Sequence, residues 1–241
     1  MSLEIASLSK EDFDSGQSLL IHKEKNWTSF DVVKKIKNLL KEKFKFKKIK
    51  VGHAGTLDPL ATGLLVVCTG KATKKISEIQ NQRKEYIGEL TLGATTPSYD
   101  LETKVDKTYD YSSIIESEVF DVAKTFKGEI LQKPPIFSAI KVKGERLYEK
   151  ARRGEKIDTK SRKITIYDFN IVEIKIPQVK FIIECSKGTY IRSVAHDFGI
   201  KLKSGAFLSN LIRSKIGDFD LKNSLTIDQF IKELNSSNHL T

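Results

Sequence analysis

The sequence predicts an α+β fold, and three observations lead there. Strand-like segments follow one another in pairs with helical segments between them, rather than alternating singly as in a doubly wound parallel sheet. No internal repeat, low-complexity tract or Pro/Gly/Ser-rich linker interrupts the 241 residues. That length supports one large domain with a core that needs neither disulfides nor a structural metal.

Residues 17–22 read as a short strand. In TSFDVVKKIKNLL, Ser29 is the candidate N-cap, and Val32, Val33, Ile36, Leu39 and Leu40 fall on one helical face. The segment KEKFKFKKIK at 41–50 carries six lysines that alternate partly with Phe44, Phe46 and Ile49, the pattern of an extended strand with one buried edge. Residues 64–68 are apolar throughout and suit a central strand, and residues 71–80 read as helix. EYIGELTLG alternates, with Tyr86, Gly88, Leu90 and Leu92 on one side and Ile87, Glu89 and Thr91 on the other. A helix over 117–126 runs up to Gly128, where a left-handed cap is expected. QKPPIFSAIKVKGERLYEKARRG then gives a Pro-Pro entry, a strand-like IFSAIKV, a Lys-Gly turn and a helix ended by Gly154. Strands at 164–169, 171–176 and 179–185 lead to the Lys187-Gly188 turn, followed by a helix at 191–202, a strand at 206–213 and a terminal helix capped near Thr226. Cys68 and Cys185 lie far apart in apolar runs without paired spacing, so both read as core residues.

Charge narrows the classes of partner. Forty-two Lys and Arg against 31 Asp and Glu leave a formal net charge of +11, which favours an anionic partner, nucleic acid first and an anionic membrane surface second. No apolar run approaches the length of a spanning helix, and MSLEIASLSKEDFDSG has neither the basic start nor the apolar centre of a signal peptide, so a cytoplasmic protein is expected. Two basic segments, 41–50 and KARRGEKIDTKSRK at 150–163, suit an elongated RNA better than a small metabolite. Walker, Rossmann, G-x-S-x-G and HExxH motifs are absent, and His22, His53, His196 and His239 are scattered. The sequence therefore implies neither a metal nor a cofactor.

One acid stands apart. In VGHAGTLDPLATGLLVVCTG, Gly52, Ala54, Gly55, Ala61 and Gly63 leave little bulk around Asp58, and Pro59 stiffens the bend. A carboxylate held this way can serve as nucleophile or base, and the same composition also describes an ordinary tight loop.

GHAGTLDPLATGLL, KEYIGELTLG, QKPPIFSAIKVKG, LYEKARRG, SKGTYIRSVAHDFG and LSNLIR, in that order, resemble the TruB family of tRNA pseudouridine synthases over nearly all of residues 17–213. The resemblance implies the pseudouridine synthase fold: a mixed, mainly antiparallel central sheet flanked by helices, with the active site in a basic cleft. It implies isomerisation of uridine-55 in the tRNA T loop, without cofactor or guide RNA. Asp58 matches the catalytic aspartate, Tyr86 the tyrosine that stacks on the target uracil, and Arg192 the arginine that pairs with the aspartate. Tyr190 and Leu211 match the walls of the base pocket, His53 the histidine that enters the T loop, and Lys71 a basic residue near the RNA. The implied partner is the tRNA T stem-loop, bound by a monomer that needs no protein partner and no membrane.

Two departures stand out. Where the family usually has Asp-Lys-Pro before its Thr-Ser, this chain has His22, Lys23 and Glu24 leading to Trp27, Thr28 and Ser29. Many relatives carry a C-terminal PUA-type RNA-binding domain, for which the residues after Arg213 are too few. The expected organisation is an N-terminal extension at 1–16, a catalytic domain at 17–213 and a short extension with a helix at 214–241. The competing reading is a tRNA-binding or tRNA-folding module without catalysis.

Overall fold

The computed structural model describes residues 4–236 apart from 139, 143 and 156–158. The chain forms two compact units, one built up to Tyr86 and from Ile212 onward, the other from Ile87–Leu211.

The first stretch opens with α1 (Lys10–Ser15), β1 (Ser18–Lys23) and α2 (Ser29–Phe44). The N-cap of α2 is Thr28, not Ser29: Thr28 Oγ1 accepts from the Asp31 N–H at 3.0 Å and Asp31 Oδ2 accepts from the Thr28 N–H at 2.9 Å, a reciprocal capping box. The strand expected over 41–50 does not form, because Phe44 continues the Ile36 and Leu40 spacing of α2 and the helix runs on to it. Lys45 then turns left-handed (φ 54°), and Phe46 and Ile49 are buried from irregular chain. Next come β2 (Val51–His53), β3 (Thr62–Thr69), 3₁₀ turns over Gly70–Lys75 in place of the first half of the expected helix, α3 (Ile76–Asn81) and β4 (Lys84–Leu92). In β4, Tyr86, Gly88, Leu90 and Leu92 are the inward set, as the alternation requires.

Short strands β5 (Ala94–Thr95) and β6 (Lys107–Thr108) pair with each other before α4 (Glu116–Lys124). Gly128 does not cap α4, which ends at a right-handed Thr125; its φ of 103° instead turns the chain into β7 (Gly128–Gln132). Only β8 (Lys141–Val142), paired with β9 (Glu145–Arg146), forms within the expected IFSAIKV strand, of which Ala139 lies outside the described residues. After α5 (Leu147–Arg152) and Gly154 (φ 75°), β10 (Arg162–Lys175) is one strand where the sequence suggests two. Register shifts between Ile166 and Asp168 and between Ile171 and Glu173 break its alternation, which explains the split reading. The chain closes with β11 (Gln178–Cys185), α6 (Ile191–Lys201), β12 (Ala206–Ile216), β13 (Phe219–Asp220) and α7 (Ile227–Ser236).

In the first unit the sheet order is β1–β3–β12–β4. β1 runs antiparallel to β3 and β12 parallel to it, so the sheet is mixed. β3 is apolar on both faces because both are covered. Leu65 and Val67 join Val32, Ile36, Leu40 and Phe230 in one cluster, while Leu64, Val66 and Cys68 join Ile79 and Ile216 in another. In the second unit β4, β11, β10 and β7 lie in that order, with β10 antiparallel to both neighbours. Phe126, Phe169, Phe181 and Phe198 pack there at centroid distances of 5.3–5.9 Å. Gly88 is required opposite Phe181, whose ring would lie 2.3 Å from any Cβ. Helices flanking a mixed, mainly antiparallel sheet make this the α+β fold the sequence predicts, and Cys68 and Cys185 are buried core thiols.

Candidate active site

The half-buried Asp58 sits in the loop that joins β2 to β3, in the first unit. A loop of this length rich in small residues would be mobile if its backbone groups faced only water. Here they do not. Ser29 Oγ accepts from the Leu57 N–H at 2.9 Å and donates to the Leu57 carbonyl at 3.2 Å. The Pro59 carbonyl accepts from the Asn26 N–H at 2.8 Å and from Lys23 Nζ at 3.3 Å, and the Asp58 carbonyl accepts from the Ala61 N–H at 3.1 Å. Arg213 donates from Nη2 to Gly55 O at 3.0 Å, from Nη1 to Thr56 O at 3.4 Å and from Nε to Leu64 O at 2.8 Å.

Lys23 and Arg213 are 0% and 1% exposed. Two fully buried cations are uncommon, since a charge taken from water must be compensated. Lys23 Nζ also donates to the carbonyls of Trp27 at 2.7 Å and Glu24 at 2.9 Å. Burial lowers its pKa to about 8, the Arg213 charge adds to that, and the Asp58 carboxylate opposes both. Sequence reasoning passed over this pair. The signal was present: Lys23 follows Leu19 and Ile21 on the inward side of β1, and Arg213 follows Leu211 on the inward side of β12.

The same unit holds three more candidates. Tyr86 points inward from β4 and is 8% exposed. His53 ends β2, where burial and the Arg213 charge push its pKa down and so favour the neutral imidazole. Lys71 stands exposed in the 3₁₀ segment after β3.

The second unit holds the others. Tyr190 is the N-cap of α6, and its backbone is pinned by Gln132, which accepts from the Tyr190 N–H at 2.8 Å and donates to its carbonyl at 3.0 Å. The Arg162 guanidinium lies 4.6 Å over the Tyr190 ring. Arg192, one residue into α6, is buried; its Nη1 donates to Phe137 O at 2.9 Å and Ser98 O at 3.2 Å, and its Nε lies 3.6 Å from Asp100 Oδ2. One turn on, His196 stacks on Tyr99 at 3.8 Å, so α6 grips the 98–100 loop at two successive turns. Leu211 is buried on β12.

The model described as "TruB family pseudouridylate synthase (N terminal domain)" matches residues 41–191. A protein of Flavobacterium johnsoniae named tRNA pseudouridine synthase B is 56% identical over 228 residues, 94% of this chain and 100% of that protein. A Parabacteroides distasonis protein of the same name is 50% identical over 225 residues, covering 92% and 96% respectively. Among solved structures, a chain in the crystal structure of a Cbf5-Nop10-Gar1 complex aligns with a TM-score of 0.72 at 26% identity, over 98% of this chain and 63% of that one. A chain in the structure of an H/ACA RNP bound to a substrate RNA containing 2'-deoxyuridine gives 0.68 at 25% identity, over 96% and 57%. This chain thus spans about three fifths of the length of those two solved chains.

Proposed function

The chain belongs to the TruB family of pseudouridylate synthases, and from that premise we propose that it isomerises uridine-55 of the tRNA T loop to pseudouridine, without cofactor or guide RNA. The observation that carries the reading is the held loop around Asp58: a carboxylate whose flanking carbonyls are fixed by buried Lys23, Arg213 and Ser29. A tight turn alone has no need of two buried cations. A reacting group does need a fixed position, because an orientation held in advance removes entropy from the barrier.

In this reading Asp58 starts the reaction by attacking or deprotonating the nucleoside. The N1–C1′ bond breaks, the uracil turns, and C5 bonds to C1′. A proton leaves C5 and one is gained at N1, so atoms and electrons balance without a redox partner. Tyr86 stacks on the uracil and takes part in moving the proton, Arg192 supplies the positive charge for the carboxylate, and Tyr190 and Leu211 form the walls of the base pocket. His53 and Lys71 contact the T loop and its backbone. Exposing the uridine costs a few kcal/mol of stacking, which about 1–3 kcal/mol from stacking on an aromatic ring offsets in part. The substrate is bound by a monomer acting without a protein partner.

The test is pseudouridine formation in unmodified tRNA transcript by the purified native protein and by Asp58→Asn. Product at position 55 from the native protein and none from the variant is the expected result. Tight tRNA binding with no product from either protein would return the chain to the class of non-catalytic tRNA-binding modules.

A further inference from the structure

We infer that Arg213 is the positioning residue of the Asp58 loop, tying the loop's two stems to β12 so that the carboxylate is held ready before RNA binds; the inference rests on the function proposed above. The backbone of β12 pairs in parallel with the start of β3, Arg213 opposite Gly63. Approach is so close that a Cβ on Gly63, which has φ 104°, would lie 2.5 Å from the Arg213 carbonyl oxygen. That pairing fixes the strand leaving the loop. The Arg213 side chain then reaches the entering side of the loop, through Gly55 O and Thr56 O just after β2, and returns to the leaving strand through Leu64 O. A single residue therefore closes the loop from both ends, with Asp58 between them.

Only a guanidinium can do this. Its planar fork places donors in three directions at once, whereas an ammonium is a point donor on a flexible stem. Arg213 takes part in no carboxylate ion pair among the described residues, and backbone carbonyl dipoles surround its charge. Each carbonyl so engaged belongs to the loop or to the first residues of β3. A charged group committed wholly to one loop fits a role in positioning that loop.

The experiment compares native protein with Arg213→Lys in single-turnover pseudouridine formation at saturating enzyme, together with tRNA Kd and melting temperature. The expected result is a rate constant lower by about 10- to 100-fold, the scale of a small misplacement of a reacting group, with Kd for tRNA within about twofold. An unchanged rate constant per folded molecule, or a fall that only tracks the unfolded fraction, overturns the inference. Amide hydrogen exchange, compared between the native protein and Arg213→Lys, gives an independent reading that needs no activity, and the loop amides are expected to exchange faster in the variant. In the native protein Leu57 and Ala61 are expected to exchange as slowly as Leu65 in β3, and exchange at least about 100-fold faster would show a loop that is not held. If the native protein makes no pseudouridine, the proposed activity fails, and the exchange rates still decide whether the loop is held.

Discussion

A lysine with no solvent exposure keeps its charge only while its three protons have partners. Lys23 has three carbonyl partners, yet its pKa falls to about 8 from 10.5, because burial outweighs the attraction of Asp58. Between those two values the unfolded chain holds the proton and the folded chain sheds it. This group's contribution to stability therefore rises with pH across that window, while the penalty for burying the charge stands in full below about 8. The neutral amine has two protons for three carbonyls, so the longest bond, to Pro59 at 3.3 Å, is the one expected to lapse. A ¹³Cε NMR titration of Lys23 should give a midpoint near 8 in the native protein and a lower one in Asp58→Asn, since the carboxylate raises it. An equal midpoint in both proteins would show that the two charges do not interact.

At the level of elements, the start of α2 does two tasks with adjacent residues. Thr28 caps the helix while Ser29, freed from capping, holds both polar backbone groups of Leu57. Thr28→Ala should cost about 1 kcal/mol of stability in urea denaturation, with turnover by the folded protein unchanged. Ser29→Ala leaves a buried N–H and carbonyl without that hydroxyl and should cost roughly 1–3 kcal/mol. Because those groups adjoin Asp58, turnover should fall as well, with tRNA affinity retained. The cap lies one residue before Ser29, the position the sequence suggests, a shift of the size common at helix boundaries. That one-residue shift matters, because a Ser29 hydroxyl spent on capping could not hold the loop.

For the whole molecule, the net charge of +11 matters less than where the acids lie. In the segment at 150–163 four of the six described cations are answered by acids: Arg153 pairs with Glu145 and Glu155, Arg152 with Glu102, Lys163 with Glu129, and Lys150 lies 3.6 Å from Glu145 and Glu155. Lys45, Lys47 and Lys48 stand exposed after α2. Reversing these three to Glu should weaken tRNA binding strongly and flatten the dependence of log Kd on log salt by about one unit for each phosphate the protein ceases to neutralise. The same number of reversals at 150–163 should do less. Equal effects would mean that the ion pairs open when RNA binds.

The sequence by itself determined the α+β class, the apolar centre at β3, the alternation of β4 and the ordered motifs that mark the family, because periodicity and local turn chemistry are properties of neighbouring residues. It also singled out Asp58. What it could not determine is which charges meet: Lys23, Asp58 and Arg213 lie on separate strands and a loop, and only strand pairing brings them around one bend. The length of β10 escaped for a related reason, since its register shifts are set by the partner strand. Tertiary structure decided the support of the loop because a buried cation is defined by what surrounds it, and no window of sequence contains those surroundings.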